Sequence, residues 1–431
     1  MQKKNFKAYK NQYNRGDNMI THKVKSISEY LSIIEELGIS EYVYRGQNEP
    51  YYSIEASGFR PYLGGWDSDK IYDMEHLHSA FYNRIIGQIS ENQKKHFLAF
   101  CQHHGIPTNL VDMSYSPLVA LFFACDGKNV QRFSIQEILG SSSLEDLEND
   151  NTVQKMFIHN LLNQANKPFY SPYAQTYLLS KQRLINITDI IIKLKGRSLF
   201  EEILVDKDIS STLSVSIHNH FQSIDITILQ DWINNLLYTY CEINEAYGIY
   251  VWERTLYEYI KDVLSKNQNL EIQDYQNILK VLSDASSMQT WVYPSITQVE
   301  LSIRFKDRYT IASLYIGLLI DIVYGLKNFP SKINIDLDIY FTYQPPELFS
   351  RISSQQSFFV YQPYIFTNDG VYDYCELNIQ SINPDVLIEV ESYSTISEEL
   401  DLIGINNGTI YGDIDNIAKA LLKSSGKLLK K

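Results

Sequence analysis

The chain has 431 residues and a mass of 50.1 kDa, enough for roughly two or three units at about 150 residues each. Its 44% hydrophobic and 21% charged residues form an ordinary foldable composition, not a disordered one. The formal charge of −13 argues against a globally basic nucleic-acid coat or a polybasic membrane binder. The 33 tyrosines supply amphipathic area with a hydroxyl that seeks a partner. Cys101, Cys125, Cys241 and Cys375 carry no CxxC spacing, so neither a disulfide scaffold nor a Cys-rich zinc site is expected. No apolar core follows the N-terminal MQKKNFKAYKNQYNRGDN, so no secretory signal is expected. The longest apolar stretch, 311–320, stops at Asp321. It is half of the roughly 20 residues a membrane helix needs and reads as a buried core helix. A soluble, cytoplasmic chain without membrane contact is the expectation.

In chain order, residues 1–25 read as a Lys- and Asn-rich leader. Residues 26–37 open with Ser26 and Glu29, the spacing of a capping box, and carry Ile27, Tyr30, Leu31, Ile34 and Leu37 at helical period. Gly38 closes that helix. EYVYRGQ at 41–47 reads as a strand. Gly58, Pro61, Gly64 and Gly65 mark a loop, and helices follow over 71–87 and 91–104. Ser116 and Pro117 start an apolar helix over 117–125. From about 128 to 332 the texture turns helical, a stretch large enough for its own core. Residues 333–344 alternate as a strand, and 358–366 form another with a break at Pro363. A turn at Asn368-Asp369-Gly370, strands within 374–391, helices over 394–403 and 413–423, and a basic tail complete the chain.

Three pieces carry chemistry. In Tyr44-Arg45-Gly46, glycine leaves the backbone open and the planar guanidinium suits a phosphate. The alternative is an internal Arg–carboxylate pair. The second piece runs from Gln102 through His103, His104, Gly105, Ile106, Pro107 and Thr108 to Asp112, Ser114 and Ser116. Adjacent histidines share no helix face, so a two-His metal pair is disfavoured and no metal is expected. One His is expected in the core and the other at a pocket. The N–H groups of the helix after Ser116 favour an oxyanion, unless Ser114 and Ser116 only cap. The third piece is Ser350–Phe359, where Gln355 or Gln356 offers hydrogen bonds to a ribose or a base, or a turn merely caps the strand.

Together these pieces resemble the FRG domain family. The aromatic-Arg-Gly signature is Tyr44-Arg45-Gly46, with Tyr for Phe. LAFCQHHGIPTNLVDMSYSPLVALFFA at 98–124 is similar to the family's most distinctive block, with Asn109 where Arg is common and Met113 where Trp is common. The closing segments are also similar, with Ser357 for a usual Gly and Gly412 for a usual Pro. The resemblance covers 26–127 and 333–422, so the expected order is leader 1–25, first half 26–127, mostly helical insertion 128–332, second half 333–422 and tail 423–431. The two halves should share one core.

The order of pieces also resembles, more distantly, ADP-ribosyltransferases of the Arg–Ser–Glu type. That resemblance implies an α+β fold with an ADP-ribosyltransferase-like split β-sheet core, flanking helices and the helical insertion. It implies NAD as cosubstrate, with Tyr44, Arg45, Gly46, Ser114 and Ser116 binding it and Gln355, His103 and His104 as catalytic candidates. Gln355 stands where a carboxylate would steady an oxocarbenium-like centre. Gln298-Val299-Glu300 offers a carboxylate at the wrong place in the chain. The expected function is an NAD-binding toxin or phage-defence effector, a transferase passing ADP-ribose to a protein or nucleic acid, or an NAD glycohydrolase. The insertion would meet a protein partner. The competing expectations are a non-catalytic module that senses a nucleotide or nucleic acid, and a hydrolase using His103 or His104 as base.

Overall fold

In the computed structural model, the structure describes residues 19–48, 54–60, 71–126, 139, 142–165, 173–246, 254–266, 270–288, 307–328, 335–346, 350–368, 375–412 and 417. Most of the leader, Gln298-Val299-Glu300, the turn at Asp369-Gly370, most of the 413–423 helix and the basic tail lie outside them.

Local chemistry sets the first elements. Helix α1 (Ile27–Leu37) starts at Ser26, whose hydroxyl accepts the Glu29 N–H at 3.2 Å. The Glu29 carboxylate takes the N–H of Lys25 at 2.7 Å instead of that of Ser26, so the reciprocal half of the capping box is displaced by one residue. Gly38 ends the helix at φ 88°. After α2 (Met74–Ile85), the single helix expected over 91–104 is two, α3 (Glu91–Lys95) and α4 (Phe97–His103). The break falls at His96, with φ −110° and ψ 40°; its buried ring places Nδ1 3.0 Å from the Tyr343 hydroxyl. Helix α5 (Pro117–Cys125) has Ser116 at its N-cap and Pro117 at its first position.

Helices α6 (Leu144–Asn149), α7 (Asn151–Ala165), α8 (Thr188–Leu194), α9 (Leu199–Val205), α10 (Lys207–Phe221), α11 (Ile226–Ala246), α12 (Arg254–Lys266), α13 (Ile272–Met288) and α14 (Asp307–Asn328) follow. Helix α14 is long and apolar enough to cross a membrane. Its apolar residues are instead buried under α10, α11 and α13, the core position expected of 311–320. The chain closes with α15 (Ser350–Ser354), α16 (Tyr393–Leu402) and α17 (Asn407–Tyr411).

The strands are β1 (Ile20–Val24), β2 (Tyr42–Gln47), β3 (Leu110–Ser114), β4 (Ala174–Ser180), β5 (Leu184–Asn186), β6 (Tyr340–Tyr343), β7 (Ser357–Tyr361), β8 (Tyr364–Asn368), β9 (Cys375–Ile379) and β10 (Val386–Val390). Eight form one mixed sheet in the order β1-β10-β4-β2-β3-β7-β6-β5, and β8 pairs with β9. Strands from residues 26–127 and from 333–422 therefore lie in one sheet. The fold is mixed α+β with a helix-rich insertion.

The insertion 128–332, read as mostly helical, also supplies two strands of the sheet, β4 and β5, the latter beside β6. Strand β4 comes from within that stretch and sits between β2 and β10, with Tyr177 opposite Arg45 and Thr176 opposite Gly46. Buried on both faces, Ala174–Ser180 shows no polar alternation, and its Ala, Gln and Leu residues do not favour a strand. Arg183, 2% exposed, ties this segment to the sheet. Its Nε donates to the Asp338 carbonyl at 2.7 Å, Nη1 to Asp385 at 3.1 Å and Nη2 to the Tyr340 hydroxyl at 2.8 Å.

Successive side chains of a strand point to opposite faces. Tyr44 of β2 therefore joins Leu121, Ala124, Leu178 and Ile388 under α1, α5 and α16, while Val43 joins Val111, Met113 and Leu179 beneath Phe59 and Tyr364.

Candidate functional site

The site begins with Gly46. A Cβ built there would lie 1.8 Å from the Ala120 carbonyl oxygen and 2.5 Å from the Ala124 nitrogen. Only glycine lets α5 lie so close on β2. This packing requirement is a role that the sequence reading, a backbone left open for an anion, did not include.

Next to this contact the sheet parts. Strands β2 and β3 are paired at one position, Tyr44 with Ser114. On its other side β3 is fully paired with β7, and the flanking bonds, Tyr115 N–H to the Gln356 carbonyl at 3.1 Å and Gln362 N–H to that of Asn109 at 2.9 Å, show that odd-numbered residues face β7. The Asp112 carbonyl therefore faces β2. Arg45 Nη1 takes it at 2.8 Å, in place of a ladder bond. Arg45 Nε is buried with no hydrogen-bond partner among the described residues. Burial pushes the Arg45 guanidinium pKa down; the Asp112 carboxylate opposes the shift and neighbouring Arg60 reinforces it.

A cleft of about 400 Å³ opens here, within the usual range for small-ligand sites. Its wall includes Arg45, Arg60, Asp112, Asp126, Gln355 and Tyr411. Tyr44, Gly46 and Ser114 also line it. The Tyr44 hydroxyl itself donates to the Ile39 carbonyl at 3.1 Å. The Ser114 hydroxyl donates to the Gln355 carbonyl at 2.7 Å and accepts the Ser116 N–H at 3.0 Å. Gln355 is 5% exposed, and its Nε2 donates to the Ile410 carbonyl at 3.2 Å.

His103, His104 and Ser116 do not line this cleft. The Ser116 hydroxyl caps α5, accepting the Val119 N–H at 3.4 Å. The N–H groups of Val119 and Ser116 are thus both taken by serines, so two of the donors expected to face an anion at this helix start are already satisfied. The two histidines sit at the end of α4. There Ile106 N–H bonds the Cys101 carbonyl at 3.0 Å, Gly105 N–H bonds that of Gln102 at 3.2 Å, and Gly105 has φ 73°. This is a Schellman ending, which needs a left-handed residue after the cap. The His104 ring is exposed and packs on Phe100 with centroids 4.3 Å apart, and the His103 ring lies 5.0 Å from it.

The residues around the histidines do act at the cleft. Gln102 accepts a bond from the Thr108 hydroxyl at 2.5 Å and donates Nε2 to Asp112 Oδ2 at 2.8 Å. Thr108 is fully buried. This chain of bonds fixes the Asp112 carboxylate from behind. Sequence reasoning missed the sited roles of Arg60, Asp112, Asp126 and Tyr411. Asp112 lies within β3 and Asp126 caps α5, the unit whose sequence stands out, and that position was the available signal. Arg60 and Tyr411 gave none. Among the described residues no group of three or more His, Cys, Asp or Glu could hold a metal. Cys101, Cys125 and Cys241 are free and buried.

The chain carries an FRG domain: residues 40–132 match that family model, a span that holds β2, β3, α5 and the Gln102–Asp112 chain, while Gln355 and Tyr411 come from outside it. No curated protein and no solved structure matches the chain.

Proposed function

We propose that the cleft of this FRG domain binds a nucleotide, with NAD as the candidate cosubstrate. The observation that carries the reading is Arg45: it lines the cleft, one arm of its fork is fixed on the Asp112 carbonyl, and its buried Nε has no hydrogen-bond partner among the described residues. A guanidinium so held is pre-organised for a phosphate, and Arg60 adds a second positive charge. The reaction proposed is cleavage of the nicotinamide–ribose bond, with ADP-ribose passed to a macromolecule or to water. That bond breaks with positive charge growing on the ribose, which a nearby carboxylate steadies, and Asp112 and Asp126 are carboxylates of this wall. In this reading the protein is an effector acting on a protein or nucleic acid.

A second reading has its own observation. Gln355, which stands where the resemblance to ADP-ribosyltransferases calls for a carboxylate, is neutral and commits its amide nitrogen to Ile410. This favours a module that binds a nucleotide without turning it over. Purified protein incubated with NAD decides between them. Nicotinamide release that falls in Arg45→Lys supports the enzyme, and calorimetric NAD binding without release supports the binding module. Neither binding nor release of NAD, ADP-ribose or ADP overturns the nucleotide reading.

A further inference from the structure

We infer that Asp126 is the residue that reads the sugar of the bound nucleotide, accepting hydrogen bonds from a ribose vicinal diol; the inference rests on the nucleotide reading above. Asp126 is the C-cap of α5, and its backbone turns extended there, with φ −69° and ψ 129°. Elements far apart in the chain then fix it. Asn48, at the end of β2, donates Nδ2 to the Asp126 carbonyl at 2.8 Å. Tyr411 of α17 donates its hydroxyl to Asp126 Oδ2 at 2.8 Å. The Tyr411 ring is held edge-on against Phe122 and Phe123, with centroids 6.1 and 6.0 Å apart.

This placement is poor for the helix. A C-terminus carries the negative end of the helix dipole, where a carboxylate is unfavourable and a Lys or Arg is preferred. Asp126 forms no ion pair among the described residues that would offset this. An acid held firmly in an unfavourable place, at the wall of a cleft, has a use outside the helix.

The chemistry of the cleft narrows that use. A carboxylate offers about four acceptor sites, and Tyr411 takes one. A phosphate is repelled from it and belongs with Arg45 and Arg60, two positive charges against the one Asp112 carboxylate beside them. Asn48, which marks the Asp126 end of β2, lies three residues beyond Arg45, about 10 Å along a strand. A ligand filling this cleft therefore presents an anion to one end and neutral hydroxyl donors to the other. A ribonucleotide carries both, and its 2′- and 3′-hydroxyls can share one carboxylate.

The test is a ligand-and-residue cycle on the full chain. ADP and 2′,3′-dideoxy-ADP are titrated into wild type, Asp126→Ala and Asp126→Asn, with melting curves confirming the folded state. Wild type should bind ADP at least about ten-fold more tightly than the dideoxy compound, as expected for hydrogen bonds to a charged group. Asp126→Ala should bind both alike, at the wild-type affinity for the dideoxy compound. Asp126→Asn should keep part of the preference, and it carries the test if the alanine variant does not fold. Equal binding of both ligands by wild type, a preference that survives in Asp126→Ala, or one left undiminished in Asp126→Asn overturns the role of Asp126 and leaves the nucleotide reading standing. If wild type binds neither ligand, nor ADP-ribose nor NAD, both fall together.

Discussion

Replacing Gly46 by alanine separates the two things that a glycine beside a binding arginine can do. The new Cβ would meet the Ala120 carbonyl oxygen at 1.8 Å, where ordinary contact begins at 3.4 Å. Helix α5 must then withdraw by about 1.6 Å, because the clashing atoms are helix backbone and cannot rotate away. Ala120, Leu121 and Ala124, each 1% exposed or less, pack in the same layer, and a radial gap of even about 0.5–1 Å forfeits a quarter to a half of the dispersion well. Overpacking usually costs about 1–3 kcal/mol. With a rigid partner and a whole helix displaced, Gly46→Ala should cost about 3–5 kcal/mol, near the upper end for single substitutions. Urea unfolding monitored by circular dichroism gives this from the midpoint and slope. A loss under about 1 kcal/mol, with nucleotide affinity per folded molecule falling ten-fold, would refute the packing account and return Gly46 to ligand approach.

Further outcomes follow from single contacts. Arg45→Lys keeps the charge and loses the fork, so nucleotide affinity should fall about ten-fold, or about 1.4 kcal/mol, at a near-unchanged melting temperature. Ser116→Ala removes the α5 cap and should cost about 0.5–2 kcal/mol in denaturant unfolding, with nucleotide affinity unmoved. Arg183→Met leaves Asp338, 1% exposed, without its guanidinium and should cost about 3–5 kcal/mol in the same assay. Burial holds the His78 and His96 pKa values below the ordinary 6.5; a bond to the Pro107 carbonyl opposes the shift at His78, and Lys95 adds to it at His96. The folded state therefore binds fewer protons than the unfolded one just below pH 6.5, and stability should fall as pH drops through that value; a denaturation midpoint that rises on acidification from pH 7.5 to 5.5 would contradict this.

Where the sequence was legible, the reason was local. Ser26 and Gly38 bracket α1, Ser116 and Pro117 start α5, and Pro363 separates β7 from β8, each through chemistry within a few residues. Strand β4 was illegible because burial on both faces erases the period-two pattern. The break at His96 was hidden for another reason: its imidazole is engaged by Tyr343, a residue 247 positions away. The cleft shows the same division. Arg45, Ser114 and Gln355 were singled out from the sequence and do line it, while the histidines that made the second motif conspicuous end a helix outside it. Its carboxylates were passed over because a lone Asp in a strand or at a helix end reads as surface until the partners that aim it are known. Those partners are Gln102 for Asp112 and Tyr411 for Asp126.

The cleft is a by-product of how the sheet is built. Strand β2 is drawn toward α5 by the contact that Gly46 permits, and β3 is held to β7 along its length, so the two strands meet at Tyr44 and Ser114 and diverge from there. The divergence strips the Asp112 carbonyl of a ladder partner, and a side-chain donor can take the place of the lost N–H. Arg45 supplies one, which orients the guanidinium beside the cleft and leaves its Nε without a hydrogen-bond partner among the described residues. In the proposed reading one residue serves both the fold and the cleft. The structural bond of this arginine goes to a main-chain carbonyl and not to the carboxylate expected of an internal pair, and it is compatible with the proposed ligand binding. A lysine can still donate to the Asp112 carbonyl but has no second nitrogen to offer, so structure should survive the exchange and the proposed recognition should not.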